Sequence, residues 1–253
     1  MSDTYSTPER FSRTALIIGS GGTERLANAR VIVFGVGGVG SFAAEALARG
    51  GVGEITLVDA DTVSVTNINR QLIALTSTIG QYKAETMRGR ILDINPDCRV
   101  TAINEFFSAE NADRFRLGQY DYIVDAIDSV TSKLTLIRLA DSLGVPIISS
   151  MGAGNKLDPT RFETADIYET SVCPLARVMR RELKKSGIKK LRVVYSKEEV
   201  ISPLCMDECM EAEESPKRQV PGSISFVPSV VGLIIAGEVI RSVINTDFRQ
   251  TSM

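Results

Sequence analysis

The chain has 253 residues, 24% of them charged and 43% hydrophobic, with a net charge of −2; that is enough for one large α/β domain and gives no whole-molecule attraction to nucleic acid, so any polyanion must be met by a local patch. Histidine is absent, which removes serine–histidine triads, histidine zinc sites and histidine general bases. Cys98, Cys173, Cys205 and Cys209 form no Cys-x-x-Cys pair, which argues against a four-cysteine zinc knuckle, and a disulfide scaffold is foreign to a chain this large.

In chain order, Met1 to Arg10 is polar and lacks the apolar core of a signal peptide, so a cytoplasmic protein is expected. Arg30 to Phe34 is a short β-branched run and reads as a buried strand. Gly35 to Gly40 follows, and Ser41 to Arg49 then has helical spacing that stops at Gly50-Gly51. Ile55 to Val58, ending at Asp59, is a second strand; the whole unit has the size of a parallel pair with a crossover helix. Gly80 to Ile94 reads as a helix closed by Asn95-Pro96. Arg99 to Asn104 and Tyr120 to Ala126 are further strands, Ser129 to Leu143 is a helix, and Pro146 to Ser150 is a fifth strand. The alternation predicts an α/β fold built on a doubly wound, Rossmann-like, mostly parallel sheet.

From Met151 the pattern changes to a C-terminal β/α extension. Gly152, Gly154 and Pro159 interrupt it, Arg161 to Glu169 is a candidate β segment, and Pro174 to Ser186 reads as a basic amphipathic helix. Pro203 to Pro221 is polar, carries Asp207, Glu208, Glu211, Glu213 and Glu214, and reads as a mobile loop. Ser223 to Val227 reads as a strand and Pro228 to Ile244 as the last helix. That helix carries Glu238 and Arg241 and is short for a membrane span, so a buried core helix without membrane contact is expected.

Gly35-Val36-Gly37-Gly38-Val39-Gly40 fits Gly-x-Gly-x-x-Gly between a strand and a helix. Glycines let the backbone approach a phosphate, and the helix N-terminus supplies free N–H groups and a positive dipole. Asp59, about 20 residues on, ends the next strand and can accept hydrogen bonds from a ribose. In this context a bound dinucleotide or ATP is expected, with a tight turn and no ligand as the lesser alternative; the loop by itself does not separate ATP from NAD. The polar stretch from Asp59 to Gln71 lies beyond the strand end, where ligands bind in such sheets. It gathers Asp61, Asn67, Arg70 and Gln71, with Lys83 on the following helix. Arg70 and Lys83 are cations suited to a triphosphate, which NAD does not need. Asp128, just past the fourth strand at the same sheet edge, can hold a magnesium ion. Taken singly, each is explained as well by a solvated surface.

Arg10-Phe11-Ser12-Arg13, the glycine loop, Asp-x-Asp-x-Val at 59–63, Asn67 to Gln71, Gly80-Gln81-x-Lys83 and Asp125-Ala126-Ile127-Asp128 together resemble the ubiquitin-activating-type adenylating superfamily over residues 8–155. The resemblance implies a single adenylating domain across 1–253: a helical arm (1–30), a nucleotide-binding core (31–150) and a substrate and dimer part (151–253). It implies ATP and Mg2+ as cofactors. Asp59 would bind ribose, Arg70 and Lys83 the phosphates, with Asp61, Asn67 and Gln71 in the same pocket. Asp128 would handle magnesium and catalysis, and Arg13 would reach the phosphates of the neighbouring subunit of a homodimer.

Ser150-Met151-Gly152-Ala153-Gly154 with Asp158-Pro159, Pro174 to Leu183, and Ser223 to Glu238 are similar to the tRNA threonylcarbamoyladenosine dehydratases. That resemblance implies ATP-dependent cyclisation of N6-threonylcarbamoyladenosine in tRNA through an acyl-adenylate. An adenylyltransferase for a ubiquitin-like sulfur carrier, partnered by a sulfur-transfer or sulfur-acceptor protein, shares the ATP site and is the alternative; the paired Cys-x-x-Cys frequent in that group is missing. An NAD-dependent oxidoreductase or a nucleotide-sensing module is a second, remoter one. Some dehydratases carry a cysteine near the position of Pro221 to Ser225 and this chain has none, so Cys173, Cys205 and Cys209 are the thiols left in this half, each as readily structural.

Arg177, Arg180, Arg181, Lys184, Lys185, Lys189, Lys190 and Arg192 stand against the single acid Glu182. Leu175, Val178, Met179 and Leu183 fall at helical spacing, so one face can dock while the basic face meets solvent. A solvated helix surface explains the stripe, and so does a tRNA contact through Arg177, Arg180, Arg181, Lys184 and Lys185.

Overall fold

The computed structural model describes residues 5–202 and 221–244. Its seven-stranded sheet has the order β3-β2-β1-β4-β5-β7-β6. The strands are β1 (Arg30–Phe34), β2 (Glu54–Val58), β3 (Arg99–Ile103), β4 (Tyr122–Asp125), β5 (Ile147–Ser150), β6 (Phe162–Asp166) and β7 (Arg192–Ser196). Neighbours are parallel except the last pair, where β6 runs antiparallel to β7. This is the α/β, doubly wound arrangement that the alternation predicts, with the antiparallel pair added by the C-terminal half.

Burial on both faces explains the unbroken apolar runs of the central strands. In β1, Val31 and Val33 face a core formed with α2 (Gly40–Gly50), α3 (Lys83–Ile94) and α6 (Phe226–Ile244). Ile32 and Phe34 face the opposite core, against α4 (Val130–Leu143), where Phe34, Phe107 and Phe115 meet edge to face. A third core holds α5 (Pro174–Lys185) through Ala176, Met179 and Leu183. The helical arm α1 (Ser12–Asn28) breaks at Gly19, where φ is 72°. It doubles back, so that Thr7 Oγ1 meets Thr23 Oγ1 at 2.9 Å.

Several boundaries differ from the sequence reading. The helix expected from Gly80 starts at Lys83: Gly80 is left-handed at φ 83°, and Tyr82 makes an isolated bridge with Thr62. β7 was not expected; Val193, Val194 and Tyr195 are strand formers, but Lys189 and Lys190 just before them mask the signal. The strand expected over Ser223 to Val227 does not form. Phe226 and Val227 open α6 instead, and Pro228 fits its first turn, where the missing N–H removes no helical bond. The 203–221 loop expectation and Cys205 and Cys209 lie outside the described residues, save Pro221. At 19 residues α6 is long and apolar enough to cross a membrane. Val227, Val231, Ile235, Ala236 and Val239 are nevertheless buried in the core beside α2 and the sheet, so it serves as a core helix.

Candidate active site

The sheet order reverses between β1 and β4, and the crevice beyond their C-terminal ends is where such folds bind ligands. The glycine loop leaves β1 there and enters α2. Gly35 has φ 85°, and a Cβ on it would stand 2.6 Å from the Ala126 carbonyl oxygen. A Cβ on Gly40 would stand 1.8 Å from the Gly35 carbonyl oxygen. No side chain fits at either position, so the glycines at 35 and 40 are required by the backbone path as well as by any phosphate. Gly37 lies beside the Gln71 amide, and Gly38 beside Pro228 at the start of α6.

Asp59 ends β2 and is tied to the loop: its Oδ2 accepts from Val36 N at 2.6 Å and its Oδ1 from Asp61 N at 2.9 Å. Burial raises its pKa above the ordinary aspartate value, and the two backbone bonds work against that rise. Each carboxylate oxygen keeps a second lone pair free for a ribose hydroxyl. Lys83 is buried, and its Nζ meets Asp61 Oδ2 at 2.7 Å. Asp61 thus holds the ammonium in place. Asn67 is buried, and its side-chain oxygen accepts from Ser64 N at 3.2 Å. Gln71 is buried too, and its Oε1 has no hydrogen-bond partner among the described residues. Arg70 is half-buried and donates through Nη1 to the Thr66 carbonyl at 2.8 Å and to Asn69 Oδ1 at 3.0 Å. Asp59, Asp61, Asn67, Arg70, Gln71 and Lys83 therefore occupy one connected segment at one end of the sheet. Asp128 is exposed and lies two residues beyond Ala126, which packs on Gly35 and Gly40. Its carboxylate has no partner among the described residues.

Lys133 was missed by the sequence reading. It is 1% exposed, and its Nζ lies 3.0 Å from Asp125 Oδ2, 3.3 Å from Ser149 Oγ and 2.8 Å from the Ser150 carbonyl. Asp125 Oδ1 accepts from Ile127 N at 3.1 Å. The pair fixes the turn that floors the glycine loop and carries Asp128. Its sequence signal was a lysine at an inward position of an amphipathic helix.

Arg13 stands apart from this cluster. Phe11 packs on Gly51, at the C-terminal end of α2, whereas the glycine loop enters at its N-terminal end. The 11 residues of α2 put those ends about 16 Å apart at about 1.5 Å per residue. Arg13, two residues beyond Phe11, therefore lies toward the end of α2 away from the glycine loop.

The basic stripe is only partly free. Arg192 lies in β7 and pairs with Glu238 at 2.7 Å, so its charge is engaged. Arg180 donates to the Thr170 carbonyl and hydroxyl, and Arg181 and Lys185 share Glu182. Arg177 and Lys184 are exposed, without an ion pair among the described residues. Val178, expected on the docking face, is exposed; Ala176 takes its place beside Met179 and Leu183.

The sequence pattern of the ThiF family matches residues 11–252. The chain is 48% identical over 243 residues to the tRNA threonylcarbamoyladenosine dehydratase of Bacillus subtilis, covering 93% of this chain and 94% of that one. The crystal structure of the Escherichia coli tRNA N6-threonylcarbamoyladenosine dehydratase in complex with ATP superposes with a TM-score of 0.85 at 36% identity, covering 96% of each chain. By contrast, the likeness to an adenylyltransferase and sulfurtransferase of Drosophila grimshawi, 36% identical, spans 59% of this chain and 33% of that protein. It spans much less of this chain than the dehydratase matches do, so the sulfur-carrier alternative is not favoured. The shared nucleotide core and the match through α5, β7 and α6 make the chain a member of the ThiF family and, within it, of the tRNA threonylcarbamoyladenosine dehydratases.

Proposed function

We propose that the chain is an ATP-dependent enzyme that closes the side chain of N6-threonylcarbamoyladenosine in tRNA into its cyclic form. The observation that carries the reading is the cleft itself: a glycine loop, a ribose-competent Asp59 and the cations Arg70 and Lys83 at one sheet end, bordered by the loop after β5 and the start of α6. In the reaction the threonyl carboxylate attacks the α-phosphorus of ATP and pyrophosphate leaves. An atom of the carbamoyl group then attacks the activated carbonyl, the bond to AMP breaks, AMP departs with the electron pair, and the proton of the carbamoyl group passes to solvent. Arg70 and Lys83 neutralise phosphate charge, and Asp59 orients the ribose; the task is alignment and charge stabilisation, which needs no histidine. Gln71, whose amide nitrogen stands beside Gly37, lines the phosphate side.

Magnesium fits this site in the mode it prefers, one or two carboxylates plus phosphates and water, and Asp128 has the free carboxylate for it. When bound it supplies further charge neutralisation. The working unit is a homodimer in which Arg13 serves the partner's cleft. Its distance from its own glycine loop supports this, as do Leu16 and Ile17 beside the Gly19 break, which are 87% and 77% exposed. The surface of α5 around Arg177 and Lys184 meets the tRNA backbone.

Nucleoside analysis of tRNA after incubation with the protein, ATP and magnesium should show loss of N6-threonylcarbamoyladenosine and gain of its cyclic form; unchanged nucleoside overturns the reaction. Mixing Arg13→Ala with Asp128→Ala subunits should restore activity, because one hybrid cleft keeps both residues. No recovery after subunit exchange, or a monomer in sedimentation, sinks the shared site.

A further inference from the structure

Asn69 lies between the phosphate-side residues and the segment leading into α6, and no step above uses it. Its Oδ1 accepts from Arg70 Nη1 at 3.0 Å, and its Nδ2 donates to the Ser223 carbonyl at 2.9 Å. The Ser223 end of that bond is itself fixed. Gly222 N donates to Asn155 Oδ1 at 2.6 Å, and the Gly222 carbonyl accepts from Asn155 N at 2.8 Å. Asn155 holds a left-handed φ of 56°, a conformation asparagine adopts more readily than most residues. Further on, Pro228 lies against the glycine loop, 3.2 Å from where a Cβ on Gly38 would stand. Residues 222–228 thus form a wall of the cleft. One end is tied to the loop after β5 and the other rests on the glycine loop, and Asn69 joins the phosphate-side arginine to it.

We propose that Asn69 is a positioning residue that makes Arg70 and this wall one hydrogen-bonded unit, setting the phosphates and the incoming threonyl carboxylate in register for adenylation. An amide suits the task because it accepts on one side and donates on the other. A carboxylate at 69 keeps the Arg70 contact but turns a negative charge toward the Ser223 carbonyl. Nucleotide binding is shared among several groups and tolerates that loss; the rate does not, since a misplacement of about 1 Å lowers it about 100-fold. The inference rests on Arg70 being a phosphate ligand, as proposed above.

The test compares Asn69→Asp, Asn69→Ala and Asn69→Gln by calorimetry with a non-hydrolysable ATP analogue, by single-turnover cyclisation at saturating ATP and tRNA, and by thermal unfolding. Asn69→Asp should bind the analogue nearly as the parent does and melt at the parent temperature, while its rate falls about tenfold or more. Asn69→Ala should lose rate and some affinity, and Asn69→Gln should recover part of the rate. Parent-like turnover in Asn69→Asp overturns the proposal, as does a rate loss accompanied by an equal loss of affinity or by a lower melting temperature. Arg70→Ala, run alongside, separates the two readings: if it binds the analogue like the parent, the phosphate role of Arg70 has failed.

Discussion

The nucleotide half, β1 to β5, and the extension from Met151 onward handle their polar residues in opposite ways. In the first, several functional groups are held by backbone or side-chain partners: Asp59 by Val36 and Asp61, Lys83 by Asp61, Asp125 by Lys133. In the second, the candidate tRNA contacts Arg177 and Lys184 stand exposed on a helix, without an ion pair among the described residues. A small ligand bound by a few directed bonds needs its partners pre-placed, since ordering long side chains on binding opposes affinity. A polyanion met over a broad surface needs only charge in the right region, because counterion release supplies most of the binding. Precision and exposure are therefore divided between the halves according to the ligand each meets.

The sharpest way to break that contrast is Lys133→Met. It leaves the Asp125 carboxylate buried without its counter-ion, which should destabilise the fold by about 3–5 kcal/mol in urea unfolding. A loss below about 1 kcal/mol would mean that the turn under the glycine loop does not depend on the pair. Next, Lys83→Ala removes a buried cation from the phosphate side with the fold intact. ATP affinity by calorimetry should drop by about 1.5–3 kcal/mol, the range for a hydrogen bond to a charged group, and tRNA affinity should stay put. The smallest effect belongs to the exposed surface. Arg177→Ala with Lys184→Ala should weaken tRNA binding several-fold in filter binding and lower the salt slope by about 1–2, with ATP affinity unchanged. The same change at Arg181 and Lys185, which share Glu182, should do less; equal effects from the two pairs would erase the distinction between free and engaged cations.

How much was legible beforehand follows the same division. The parallel core could be read because each strand is a short apolar run and each helix keeps its spacing, and the glycine loop because its spacing and its place between strand and helix are local. Asp59, Arg70 and Lys83 could be grouped as candidates because they lie in, or on the helix after, the polar stretch that follows β2. Harder to see was β7, whose three strand formers sit beside charged residues, and the Ser223 to Val227 segment, whose last two residues, Phe226 and Val227, open α6. Lys133 and Asn69 stayed hidden because their meaning lies in partners far along the chain, Ser149 and Ser223.

Taken alone, the sequence determined the fold class, the nucleotide loop and the cation set, since these depend on patterns a few residues wide that act wherever the chain goes. Only the tertiary structure decided which charges are free. It paired Arg192 with Glu238, left Arg177 and Lys184 unpaired among the described residues, and set Arg13 at the far end of α2 from its own glycine loop. The reason is physical: hydrogen bonds and ion pairs form between groups within about 3–4 Å, and only folding brings residues tens of positions apart to that distance.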